Sequence, residues 1–111
     1  MSADLNRPEF APGHAGIAVC RRIAEAMPDQ PIVYRDATNE QVRTPAANYG
    51  RPHVLLEATL TTICVSVPPA DWATRTWVDY PTPVDPDTIG GDAFYGVVLD
   101  AVNAKLRRIA E

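Results

Sequence analysis

Residues 53–67 read His-Val-Leu-Leu-Glu-Ala-Thr-Leu-Thr-Thr-Ile-Cys-Val-Ser-Val and are followed directly by Pro68-Pro69. Apolar residues alternate along this stretch, which is the period of a strand with one buried face. The alternation holds one phase through Leu60 and takes the opposite phase from Ile63 onward. We therefore predict one long strand whose buried face changes near Thr61-Thr62, through a bulge or a strong twist.

A helix and a short strand are predicted on the N-terminal side of this stretch. Residues 14–27 carry apolar side chains at helical spacing, and Pro28 ends the pattern. Residues 31–35 form a short apolar run bounded by proline and Asp36, which is typical of a strand at or near a sheet edge.

A strand and a helix are predicted on the C-terminal side. Residues 74–80 alternate β-branched and aromatic side chains, so they should pair with the long strand as an antiparallel hairpin. Asp92 is placed to cap the last helix, in which Gly96 marks a possible close packing partner or a simply tolerated residue. The apolar positions of that helix are Phe94, Tyr95, Val98, Leu99, Val102, Leu106 and Ile109.

These elements predict an α+β fold with the order helix, strand, long loop, strand, strand, helix. The expected architecture is a small antiparallel three-stranded sheet with two helices packed on one face. Residues 1–13 lack periodicity and are predicted to be an extended N-terminal tail, whereas residues 14–111 form a single α+β domain.

Composition restricts the class of partner. The chain has 111 residues and a net charge of -4, so nucleic acid is not expected as its main partner. The N-terminus lacks the basic and apolar regions of a signal peptide, and no run of apolar residues is long enough to span a membrane. We expect a cytoplasmic protein with protein partners.

No cofactor, metal site or catalytic fingerprint is predicted. The cysteines Cys20 and Cys64 fall among apolar neighbours and are expected to be reduced and passive. With His14 and His53 they do not form the paired spacing of a zinc site. The carboxylates around residues 79–92 fit a solvated turn and a helix cap better than a calcium loop.

Two segments are candidate interfaces. The polar loop 37–52 is too long for a simple connection and carries Arg43, Tyr49 and Arg51, while Trp72, Arg75 and Trp77 lie on the predicted hairpin. The alternatives are a disordered loop, and indoles that pack as ordinary core. Large side chains on both faces of strand 74–80 favour a partner subunit.

The order of elements over residues 14–110 resembles the small neck and tail-terminator proteins of long-tailed phages, which assemble as rings at the tail end. The matching features are the helix closed by Met27-Pro28, the run 31–34, the stretch 51–57 that leads into the central strand, and the closing helix 94–109. The Trp72–Tyr80 hairpin and the Pro81–Pro86 stretch have no counterpart in that resemblance.

The resemblance implies a non-enzymatic structural protein that self-associates, located in a virion if it holds. Two other classes stay open. A small acidic inhibitor or immunity-type binding protein would use a patch around Asp79, Asp85 and Asp87. A small α+β enzyme would need a pocket that holds His53 or Asp79.

Overall fold

The fold is that of a computed structural model, which describes residues 12–36, 41–43, 52–68 and 74–110. The described residues form two long helices, one short helix and five strands. In chain order these are α1 (Pro12–Ala26), β1 (Ile32–Asp36), β2 (Gln41–Arg43), β3 (Val54–Ala58), β4 (Thr62–Ser66), β5 (Thr76–Asp79), α2 (Pro86–Ile89) and α3 (Asp92–Ala110).

The strands form one mixed sheet in the order β2-β1-β3-β4-β5. Strands β1 and β3 run parallel, while the other neighbours are antiparallel. The α+β class is thus confirmed, but the three-stranded antiparallel sheet was wrong. The difference arises in segment 37–52, where residues 41–43 turn back along β1 as an edge strand. Strand β3 then starts beside β1 in the same direction, with Ile32 opposite Val54.

The single long strand predicted over residues 53–67 was also wrong, because this stretch is a hairpin of β3 and β4. The two strands pair with Ala58 opposite Ile63. At the turn, Thr59 N donates to Thr62 O, and Thr62 N donates to the Thr59 hydroxyl at 2.9 Å. The same hydroxyl accepts a hydrogen bond from Thr61 N at 3.1 Å. The Thr59 side chain therefore forms hydrogen bonds that hold the turn. The turn lacks the glycine or asparagine that usually marks a hairpin in a sequence.

The hairpin explains the change of phase in the sequence. Leu60 follows the apolar phase of β3, yet it sits at the tip of the turn and is 59% exposed. After the turn the chain runs back, so Ile63 and Val65 rejoin the face already occupied by Leu56 and Ala58. The predicted pairing of residues 74–80 with this stretch is confirmed by the antiparallel β4–β5 pair.

Both long helices pack on one face of the sheet, as predicted. The fully buried side chains Ile23 of α1 and Val98 and Val102 of α3 share one core cluster with Leu56 and Ile63 of the sheet. On the surface, Arg22 joins the two helices. Its guanidinium lies 3.0 Å from the carboxylate of Asp92, and its centre is 3.8 Å from the ring centroid of Tyr95.

The glycines Gly16 and Gly96, one on each long helix, differ in how closely other residues pack against them. Gly16 of α1 packs against the Tyr80 hydroxyl, and a Cβ at this position would overlap that hydroxyl. The same hydroxyl donates to Thr59 O, so it connects the β3–β4 turn to α1. A methyl group at Gly96 would meet no atom within 4 Å, so the close packing partner considered for this glycine does not exist among the described residues.

The acidic cap belongs to a different helix from the one predicted. The Asp85 carboxylate accepts a hydrogen bond from Thr88 N at 2.8 Å and caps α2. Asp92 is instead the first residue of α3, where its negative charge is favourable near the helix N-terminus. The predicted N-terminal tail lies outside the described residues, apart from the first residues of α1.

Candidate functional site

The strongest candidate site lies at one end of the sheet, where β3 begins, β4 ends and β5 begins. The C-terminal turns of α3 cross this end and enclose a cavity of about 260 Å³. We call it the basic groove. Its lining residues are Pro52, Val67, Thr74, Lys105, Arg108 and Ile109.

Lys105 is the most constrained charge of the basic groove. The residue is only 8% exposed, and its ammonium donates to Thr74 O at 2.6 Å. A buried charge needs such a partner because loss of hydration is costly. The ammonium carries three donors, so the bond to Thr74 accounts for one of them. Arg108 follows one turn of helix later and is exposed.

Lys105 and Arg108 were not among the candidate site residues predicted from the sequence. A signal was present. Lys105 lies three residues after Val102 and four before Ile109, so it falls within the apolar stripe of the helix. A charged residue within such a stripe is buried with it unless its side chain is long enough to place the charged group in solvent.

Two predicted interface residues lie in strand β5 or directly before it. Arg75 follows the lining residue Thr74 directly and is partly buried. Trp77, on strand β5, is 44% exposed and lies opposite Cys64 on the face of the sheet away from the helices. Trp77 therefore does not pack as an ordinary core residue, which was the alternative interpretation of this side chain.

Of the other predicted interface residues, the structure describes the position of Arg43 in the sheet. Arg43 belongs to β2, where it is opposite Tyr34. Tyr49, Arg51 and Trp72 lie outside the described residues. The described chain resumes at Pro52, which lines the basic groove.

A row of basic, acidic, thiol and aromatic side chains crosses the sheet face that points away from the helices. In register it runs from Arg35 through Glu57 and Cys64 to Trp77. The Arg35 guanidinium lies 3.0 Å from the Glu57 carboxylate, which neutralises that carboxylate within the sheet. The ion pair thus has a structural role in holding β1 against β3.

The two thiols are buried and form no disulfide. Burial raises the pKa of Cys20 to about 12. The pKa of Cys64 is also raised, first by burial and then by the nearby Glu57 carboxylate. Both thiols therefore stay protonated near neutral pH, which disfavours nucleophilic chemistry.

A second, wider groove of about 470 Å³ lies between the C-terminal ends of α1 and α3. Neither groove is lined by His53 or Asp79, one of which the enzyme alternative expects in a pocket. Within the ranges that the structure describes, no three His, Cys, Asp or Glu side chains converge as a metal site. No helix in those ranges is long and apolar enough to cross a membrane.

Comparisons with known proteins add no family. No protein-family model, curated protein or solved structure matches the chain.

Proposed function

We propose that this chain is a non-enzymatic structural or assembly protein that self-associates, of the kind that serves as a phage tail-terminator or head-tail connector subunit. The observation that carries this proposal is the exposure of Trp77 on β5. A tryptophan that is 44% exposed on a strand offers a large apolar area at the surface. Tryptophan and arginine are the residue types that dominate binding energy in protein interfaces.

The position of Trp77 supports a protein partner rather than a small molecule. Arg75 lies two residues before it, and the loop residues Arg43, Tyr49 and Arg51 belong to the segment that ends at Pro52. Pro52 and Thr74 both line the basic groove, so the described ends of the two predicted interface segments meet there. The proposed interface comprises Arg75 and Trp77 with Tyr49, Arg51 and Trp72, while Arg43 lies on β2 at the opposite edge of the sheet from β5. The proposed partner is another copy or a neighbouring structural protein.

The titratable groups support a role without catalysis. Glu57 is paired with Arg35, Asp85 caps α2, and Lys105 is bound to a backbone carbonyl. Each of these groups is held by a contact that stabilises the fold. The runner-up inhibitor function gains less support, because the Asp85 carboxylate of its acidic patch already accepts bonds from Thr88 N and the Thr88 hydroxyl.

The test is the mass of the purified protein in solution, measured by light scattering across a concentration series. The wild-type chain should exceed the mass of one copy, and Trp77→Ser should shift it toward the monomer. Val97→Ser is the matched control, since Val97 is 55% exposed on α3 and lies outside the proposed interface. A wild-type protein that stays monomeric at every concentration would refute self-association and favour the inhibitor class.

A further inference from the structure

The two ends of the fold carry complementary surfaces. At one end is the basic groove, which combines two cations with the apolar walls Pro52, Val67 and Ile109. At the other end a short segment presents an apolar and an acidic side chain to solvent. We call it the acidic projection, residues 84–87, in which Val84 is 52% exposed and Asp87 is exposed.

The acidic projection has a defined shape. The Asp85 carboxylate caps α2 through Thr88, which fixes the backbone between Val84 and Asp87. Ile89 is fully buried, so α2 is anchored to the core. A fixed segment loses little conformational entropy when it binds, and this favours it as an interface element.

A single chain cannot place its own projection in its own groove. Asp87 lies just before the first residue of α3, Asp92, whereas Lys105 lies near the other end of that helix. At 1.5 Å per residue, the helix separates Asp92 from Lys105 by roughly 20 Å. The strands agree with this arrangement, because the Thr59–Thr62 turn and Tyr80 lie at the end of the sheet opposite to Val67 and Thr74.

We propose that the basic groove of one copy receives the acidic projection of the next copy, in a head-to-tail contact. The inference rests on the proposed self-association and adds a second contact to the proposed interface around Trp77. The Asp87 carboxylate would pair with the Arg108 guanidinium, whose planar donors suit a carboxylate. Val84 would pack against the apolar walls. Lys105 adds positive charge at the base of the groove while it remains bound to Thr74.

The geometry has a consequence for the assembly. The contact joins two different surfaces of the same chain, so each copy retains one unused groove and one unused projection. Head-to-tail contacts of this kind produce a closed ring if the rotation closes, and an open filament if it does not. A contact between identical surfaces would stop at two copies.

Two variants test the contact separately. Arg108→Glu replaces the exposed cation of the groove with an anion, and the double change Val84→Ser with Asp87→Ser removes the apolar and acidic groups of the projection. The residues changed are all exposed, so the fold should persist, which circular dichroism and the thermal midpoint would check. The matched controls are Arg107→Glu, which lines the other groove, and Asp100→Ser, an exposed acid on α3.

Each variant alone should associate at least tenfold more weakly than the wild type, while both controls should behave as the wild type does. An equimolar mixture of the two variants keeps one intact groove and one intact projection per pair. The mixture should therefore form a species of two copies and stop there, while the wild type forms a larger one. Light scattering and analytical ultracentrifugation measure both.

Three results would overturn the inference. If Trp77→Ser disrupts association but Arg108→Glu does not, the proposed function stands and the head-to-tail contact is wrong. If Arg108→Glu disrupts association and the projection variant does not, the groove holds another ligand, such as a small carboxylate or a different segment. If the wild type is monomeric throughout, self-association fails and the contact fails with it.

Discussion

At the scale of single residues, Gly16 and Tyr80 determine how α1 approaches the sheet. The Tyr80 hydroxyl donates to Thr59 O, and its ring packs edge-on against Phe94 at 5.7 Å between centroids. This arrangement leaves no space for a side chain at Gly16. The contact joins α1, the β3–β4 turn and α3 at the end of the fold that carries the acidic projection.

We predict that Gly16→Ala lowers the free energy of unfolding by about 1–3 kcal/mol, because the new methyl group overpacks a filled site. Gly96→Ala is the control, since a methyl group there meets nothing within 4 Å. It should raise stability by up to about 1 kcal/mol through helix propensity. Urea denaturation of both variants gives the comparison, and equal effects at the two glycines would contradict it.

The buried thiols predict how stability changes with pH. The folded pKa of Cys20 is about 12, against 9.0 for the thiol in solvent. Above pH 9 the unfolded chain releases this proton while the folded chain keeps it, so stability is fully present below pH 9 and declines above it. The pKa values of Cys64 and Tyr80 shift in the same direction, each first through burial.

The expected decline is about 1 kcal/mol per pH unit for Cys20 alone over the first unit above pH 9. Chemical denaturation at pH 8, 9 and 10 would measure it. Cys20→Ala should lose this part of the slope, whatever its effect on absolute stability. A slope that is the same in both proteins would show that Cys20 titrates normally.

At the scale of secondary structure elements, the two long helices and the antiparallel β4–β5 pair could be predicted, whereas the β3–β4 hairpin and the parallel β1–β3 pair could not. Helix α3 has an apolar stripe over five turns, and that periodicity identified Val98 and Val102 as core. The β3–β4 turn contains no glycine, asparagine or proline, and its tip is the apolar Leu60. The bonds that reverse the chain come from the Thr59 hydroxyl, and a lone threonine carries almost no turn signal.

The parallel β1–β3 pair could not be predicted from the sequence for a related reason. Between β1 and β3 the chain forms a three-residue edge strand, β2, in a segment with a single large aliphatic residue, Val42. Three residues are too few to show alternation. Tertiary pairing with β1, and not local propensity, places them in the sheet.

The stripe of α3 predicts a strong difference between two valines of the same helix. Val102 is fully buried, whereas Val97 is 55% exposed. Val102→Asp would bury a charge without a partner, a cost comparable to the whole stability of a small domain. We expect this variant to be unfolded or marginally stable.

Val97→Asp makes the same chemical change on the solvent side and should alter stability by no more than about 0.5 kcal/mol. Thermal melts of the two variants provide the measurement. If Val102→Asp melted within a few degrees of the parent, the stripe would not be the core contact that the structure describes.

At the scale of the whole molecule, the candidate site is assembled from distant parts of the chain. Pro52, Thr74 and Lys105 meet only because the strand ends and the last turns of α3 converge. The sequence indicated Arg75 and Trp77 by residue type, but the groove depends on strand pairing that the sequence did not reveal. The composition did not predict the groove either, because a net charge of -4 does not indicate a local basic site.

The net charge and the local charges predict opposite responses of self-association to salt. Two copies of charge -4 repel each other. With their centres roughly 30 Å apart, the diameter of a small domain, this repulsion is about 2 kcal/mol in pure water. The Debye length at 0.1 M salt is about 10 Å, which reduces the repulsion to about 0.1 kcal/mol. Further salt can then relieve almost none of it.

The head-to-tail contact responds differently, because an Asp87–Arg108 pair at about 4 Å lies well within the Debye length at 0.1 M and is screened mainly near 1 M. Raising sodium chloride from 0.1 to 1 M should weaken that pair by about 0.4 kcal/mol even at the dielectric constant of water. The dissociation constant should therefore rise about twofold or more. The Arg107→Glu control should keep this response, and Arg108→Glu should lose it. Association that salt leaves unchanged or tightens would indicate that the apolar surface around Trp77, and not the charged contact, holds the copies together.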